Sequence, residues 1–166
     1  MDSPIPEPAH NNTKPMPHET FQTERRVEFR DTDAAGIVHF SVFFAYMEEA
    51  EHAFLRHLGL SVVSKIENQV VSFPRVAVQC DYKKPIKFEQ VITINVSLAR
   101  IGTKSLTFQH EISNADGEPV ASGTITTVCC QIPQKSDLHE SLKPTPIAVP
   151  DSFIEKLKPY LASPSG

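Results

Sequence analysis

SVFFAYMEEAEHAFLRHLGL, Ser41 to Leu60, decides the fold. Phe43, Met47, Ala50, Phe54 and Leu58 recur at intervals of four, three, four and four, with Phe44 and Leu55 widening the stripe. That is the period of a helix with a broad apolar face. Gly59 stands where a left-handed residue ends a helix. The period is two on either side. ERRVEFR (24–30) sets Val27 and Phe29 among polar residues and predicts a strand. Val76, Val78, Cys80 and Tyr82 alternate, then Ile92, Ile94, Val96 and Leu98, then Leu106, Phe108, His110 and Ile112. Asn114-Ala115-Asp116-Gly117 is a hairpin turn, and a last strand is expected over about Val120 to Ile132. One strand, one long helix and four strands in short succession predict an α+β fold, with an antiparallel sheet wrapped around the helix. The sheet edges stay open, which favours edge-to-edge pairing of two copies.

The 166 residues are 40% hydrophobic and 22% charged, the composition of one ordinary globular domain. A net charge of -4 argues against a nucleic-acid binder. No apolar run reaches a membrane span, and the N-terminus lacks the basic start and apolar middle of a secretory signal. Cys80, Cys129 and Cys130 are odd in number and not spaced as a metal or redox motif, which fits reduced thiols in a cytoplasmic protein. Five of the 14 prolines fall in residues 1–20 and five from Pro144 onward. Residues 1–20 read as a disordered tail, 21–133 as the folded core, and 134–166 as an extended segment carrying a short C-terminal helix in SFIEKLKPYL. Asp151 or Ser152 is its expected N-cap.

FRDTDAAGIVHF (29–40) lies between the first strand and the helix. The N–H groups that open a helix lack partners and carry partial positive charge, so the chain after Gly36 can receive an oxyanion. Asp33 beside such a site can attack a carbonyl or activate water. From the residues alone the pair Asp31 and Asp33 serves equally to cap a turn, the more ordinary use of aspartate. Glu49 and His52 match a Glu-x-x-His spacing, but di-metal bundles need four helices, so Glu48, Glu49, Glu51 and His52 read as a solvated or interface face with no metal. Arg75, Lys83, Lys84, Lys87, Arg100 and Lys104 face only Asp81 and Glu89 over 75–104. That stretch is either a solvated sheet face or a place for a phosphate-bearing ligand.

Asp31-Thr32-Asp33-Ala34-Ala35-Gly36-Ile37-Val38-His39-Phe40, followed by Phe43, Phe44, Tyr46, Met47, Glu48, Ala50 and Glu51, resembles the signature of hotdog-fold acyl-CoA thioesterases of the 4-hydroxybenzoyl-CoA thioesterase-like family. The resemblance covers about residues 22–133. It implies a hotdog fold, a five-stranded antiparallel sheet around one long helix. It also implies a homodimer, often a dimer of dimers, and hydrolysis of an acyl-CoA without a further cofactor. Asp33 would be the catalytic carboxylate, Gly36 the turn residue and the Phe40 backbone N–H the oxyanion donor. Lys104 and Ser105 match a Lys-Ser that would meet the coenzyme A phosphates, although Gly102 and Thr103 stand where the family's paired arginines are expected; Arg75 and Arg100, from the basic stretch, are the further candidates for that ligand. His39-Phe40 replaces the Tyr-His of the bacterial short-chain branch. A thioesterase acting on acyl carrier protein and a non-catalytic acyl-CoA-binding module share the same fold.

Overall fold

The protein is described here by a computed structural model covering residues 18–66, 68–133 and 143–162. The expected disordered tail lies almost wholly outside these residues, as does the first part of the C-terminal connector. The first strand, β1 (Phe21–Arg26), starts and stops earlier than alternation suggests. Phe29 to Asp31 form a 3-10 turn instead. The cause is Asp31, whose carboxylate takes the Glu28 N–H at 2.9 Å and folds the chain back, leaving Phe29 76% exposed.

The long helix, α1 (Val42–His57), forms where its period placed it. It ends in a Schellman arrangement. Gly59, at φ +67, donates to Arg56, and Leu60 donates to Leu55 at 2.7 Å. A hairpin that alternation did not single out follows: β2 (Val63–Ile66) and β3 (Gln69–Ser72), turning through Asn68 at φ +78. Then come β4 (Arg75–Tyr82), β5 (Val91–Ile101), β6 (Ser105–Asn114) and β7 (Pro119–Val128).

The main sheet has the order β1-β5-β6-β7-β4 and is antiparallel throughout. It is the expected five-stranded sheet around one helix. Its inner face buries Ile92, Ile94, Val96, Leu98, Leu106, Phe108, Ile112, Ala121 and Ile125 against Phe43, Tyr46, Met47, Ala50 and Phe54 of α1. Each large apolar side chain removed from water contributes about 1.5–3 kcal/mol.

The expected last strand is broken. Cys129 leaves the main sheet and β8 (Cys130–Ile132) joins a second one, ordered β2-β3-β8-β9, where β9 is Thr145–Pro146. The short C-terminal helix is present as α2 (Asp151–Leu157). Its N-cap is Pro150 and no side chain caps it, so neither Asp151 nor Ser152 has that role. α2 and the 3-10 turn after it (Lys158–Tyr160) close the core: Phe153 packs on Phe73 with centroids 5.0 Å apart, and Tyr160 meets Phe54 edge-on at 4.7 Å.

Candidate active site

The segment between β1 and α1 is a small hairpin built on Asp31. Thr32 and Val38 form an antiparallel bridge, and Asp33 N–H donates to Ile37 at 2.9 Å. Gly36 turns the chain at φ +73, where only glycine sits without strain, and its N–H returns to the Asp33 carbonyl at 2.9 Å. Asp31 is buried. Its Oδ2 accepts the Tyr46 hydroxyl at 2.8 Å as well as the Glu28 N–H, and Arg25 lies 3.8 Å away. The Asp31 carbonyl accepts His39 N–H at 2.9 Å, so one residue holds both ends of the hairpin. Burial and this partner push the Tyr46 hydroxyl well above its ordinary range.

Asp33 differs in every respect. It is exposed, and its Oδ1 accepts only the Ala35 N–H at 2.8 Å in an Asx turn. Oδ2 meets no donor among the described residues. Phe40, one turn of chain later, is 59% exposed, and its N–H likewise has no partner among the described residues. Asp33 and Phe40 line one cleft of about 480 Å³ together with Ile37, Val38, Phe43, Tyr82, Pro85 and Ile86, with Lys83 and Lys84 also on its wall. A carboxylate oxygen without a donor and an amide without an acceptor thus share an aromatic-walled cleft at the start of α1. An electrophilic carbonyl placed between them would meet a base or nucleophile on one side and a hydrogen-bond donor for its oxygen on the other.

The remaining predicted site residues lie elsewhere in the chain. Cross-strand pairing puts Tyr82, Ala121, Ile112 and Ile94 in a row at one end of the sheet, and Arg75, Thr127, Leu106 and Ile101 in a row at the other. Lys104 and Ser105, at the β5–β6 turn, and Arg100 belong to the second end. Along an eight-residue strand the two ends are about 23 Å apart. Arg75 is engaged within the chain. Its Nη2 meets Glu51 Oε1 and His52 Nε2 at 3.0 Å each, and Glu48 Oε1 at 3.3 Å. Glu51 is therefore not part of a solvated face. It is 0% exposed, and burial pushes its carboxyl up to about 7 against the pull of Arg75. The same burial lowers His52. His39 turns to Ser41, with Nδ1 to Oγ 2.8 Å, and stacks obliquely on Phe40.

Sequence reasoning placed Lys83 and Lys84 in a basic stretch without tying them to Asp33, and it read Tyr82 only as a strand residue. The Lys-Lys-Pro after the strand was the available signal, since proline ends the ladder and turns the lysines out. Lys84 is held by Glu118 at 2.6 Å, while the ammonium of Lys83 has no acidic partner among the described residues.

A family model described as the thioesterase-like superfamily matches residues 27–157. The chain is 26% identical over 138 residues to the acyl-CoA thioester hydrolase YbgC of Escherichia coli O157:H7, covering 83% of this chain and 96% of that one. It is 27% identical over 136 residues to the 1,4-dihydroxy-2-naphthoyl-CoA hydrolase of Thermosynechococcus vestitus, covering 82% and 88%. Among solved structures, BH1999 gentisyl-coenzyme A thioesterase superposes with a TM-score of 0.67 at 30% identity over 80% of this chain and 98% of that one.

Proposed function

The chain belongs to the thioesterase-like superfamily, and from that premise we propose that it hydrolyses an acyl-CoA thioester to the free acid and coenzyme A. One observation carries the reading: Asp33 and Phe40 both line the cleft at the start of α1, and neither Asp33 Oδ2 nor the Phe40 N–H has a partner among the described residues. The thioester carbonyl oxygen points to the Phe40 N–H, where the end of a 16-residue helix adds partial positive charge. Gly36 lets the hairpin turn tightly enough to set Asp33 opposite. Asp33 either attacks the carbonyl carbon, expelling the coenzyme A thiolate and leaving an acyl anhydride for water to cleave, or takes a proton from the water that attacks. The acyl group then lies against Ile37, Val38, Phe43, Tyr82 and Ile86.

We also propose that the working form is a dimer paired through β4. Among the described residues β4 pairs only with β7, so its other edge is open there, and Val76, Val78 and Tyr82 on it are exposed. Two copies related by a two-fold axis pair antiparallel. The Arg75 end of one strand then lies beside the Tyr82 end of the other. This brings Lys104, Ser105 and Arg100 of one copy toward the cleft of its partner, which no single chain can do across about 23 Å. Lys83 on the cleft wall and the partner's Lys104 supply cations for the coenzyme A phosphates.

Asp33→Asn removes both the nucleophile and the base, so kcat is expected to fall a hundredfold or more in a thiol-release assay over short, long and aryl acyl-CoAs. Near-normal hydrolysis by that variant, or tight acyl-CoA binding by the wild type without thiol release, overturns the reading. Oxygen-18 from water appearing in Asp33 during turnover selects the anhydride route.

A further inference from the structure

α1 starts without a side-chain cap. Ser41 holds the N-cap position, but its Oγ meets His39 Nδ1 and not a helix N–H. Its first amides turn to the chain nearby instead: Ser41 N–H reaches His39 Nδ1 at 3.4 Å and Phe44 N–H the Ser41 carbonyl at 3.2 Å. Phe40 lies just before it and is largely exposed. What holds Phe40 comes from a different element. Tyr82, the last residue of β4, donates its hydroxyl to the Phe40 carbonyl at 2.9 Å, across 42 residues of sequence. On the other side of Phe40, the His39 carbonyl accepts Val42 N–H at 3.0 Å. Both peptide planes flanking Phe40 are thereby pinned, and with them the direction of its N–H, which has no partner among the described residues. The Tyr82 ring is itself fixed edge-on against Phe43, with centroids 5.2 Å apart.

We propose that Tyr82 is a positioning residue for thioester hydrolysis, holding the oxyanion donor of Phe40 in its productive direction through the Phe40 carbonyl. The inference rests on the assignment of Asp33 and the Phe40 N–H given above. Tyr82 need not touch the thioester. It works by keeping the first turn of α1 from loosening as charge develops on the substrate oxygen, since a donor must already be in place when that charge appears. Because Tyr82 ends the open edge strand, the same contact ties the oxyanion donor to the strand that pairs in the proposed dimer.

Tyr82→Phe removes only the hydroxyl and keeps the ring on Phe43, so the fold should persist and the melting temperature should stay close to wild type. Deleting an oxyanion donor outright costs about 10²–10³ in kcat, and loosening one costs less. The expected result is a kcat about tenfold lower with KM within about twofold, measured on the acyl-CoA that wild type turns over fastest. A trifluoromethyl-ketone analogue of that acyl-CoA, whose tetrahedral form (its hydrate, or an adduct in which Asp33 adds to the carbonyl carbon) puts an oxygen where the oxyanion develops, should bind Tyr82→Phe about tenfold more weakly. A non-hydrolysable thioether analogue should bind both proteins alike. A residue that only supports the fold would weaken both analogues together or neither. Unchanged kcat and unchanged ketone affinity in folded Tyr82→Phe, with Asp33→Asn inactive, overturn the positioning role and leave the catalytic assignment standing. Full activity of Asp33→Asn overturns the assignment and this proposal with it.

Discussion

Asp31 and Asp33 stand two residues apart and have opposite surroundings. Asp31 is enclosed by Tyr46, Arg25 and the Glu28 amide, so its charge is fully used inside the chain. Asp33 stands in the open, and one of its oxygens meets no donor among the described residues. The spacing Asp-x-Asp could not say which of the two is buried, because in a hairpin that depends on what packs beneath it. His110 is a second residue whose environment overrides its type. It is 0% exposed on the inner face of β6, and burial lowers its imidazole to about 4. The Gly123 and Met47 main chains lie near, but no contact meets hydrogen-bond geometry. The unfolded chain takes up a proton below about pH 6.5 and the folded chain does not until about pH 4. His110 therefore costs stability progressively as pH falls through that window, by about 3 kcal/mol in all. Glu51 acts in the opposite sense. Its carboxyl is raised from 4.5 to about 7, so its contribution is present at low pH and lost as pH rises across that range. Urea unfolding of His110→Leu between pH 7 and 4 should show stability rising relative to wild type as pH falls, and an unchanged difference would count against a buried neutral ring.

At the scale of elements, Gly123 of β7 is wedged between the backbone of β4 and Met47 of the helix. A Cβ there would stand 2.5 Å from the Gln79 carbonyl and 2.6 Å from Met47 Sδ. The thioether can swing away, but the backbone oxygen belongs to β4 and cannot. Gly123→Ala is expected to destabilise by about 1–3 kcal/mol, read as a lower midpoint in urea, because overpacking forces the strands apart. The period of α1 was plain in the sequence because its apolar stripe is long and ends in Gly59. β2 and β3 were not legible, since four-residue strands of mixed polarity give too few alternations to stand out. β8 was hidden for another reason. Its residues follow β7 with no turn signal, but Cys129 N–H donates to Lys104 at 2.7 Å and its carbonyl accepts Ile147, so the chain changes sheets at Cys129 and Cys130, two adjacent buried residues.

For the whole molecule, the open edge of β4 is decisive. A strand that carries exposed Val76, Val78 and Tyr82 and has no neighbour on one side among the described residues is a template for its own copy. A lysine on such an edge blocks pairing. Val78→Lys, at a position 45% exposed on β4 and outside the residues that line the cleft, is expected to sediment as a monomer and to lose most acyl-CoA hydrolysis, because the partner's Lys104 and Ser105 no longer reach the cleft. A fully active monomer would show that each chain binds coenzyme A alone.

By itself the sequence determined the one long helix, the alternating strands around it and the Asp-x-Asp-x-x-Gly turn at the helix start. Each is written in local spacing, and local spacing sets which face of an element is apolar. Only the tertiary structure decided that Asp31 is enclosed while Asp33 is free, that Arg75 is taken up by Glu51, and that Tyr82 holds Phe40. It also decided that Lys104 stands at the far end of the sheet from Asp33. These are contacts between segments far apart in the chain. They follow from strand order and from how the helix sits on the sheet, which no residue's immediate neighbours encode.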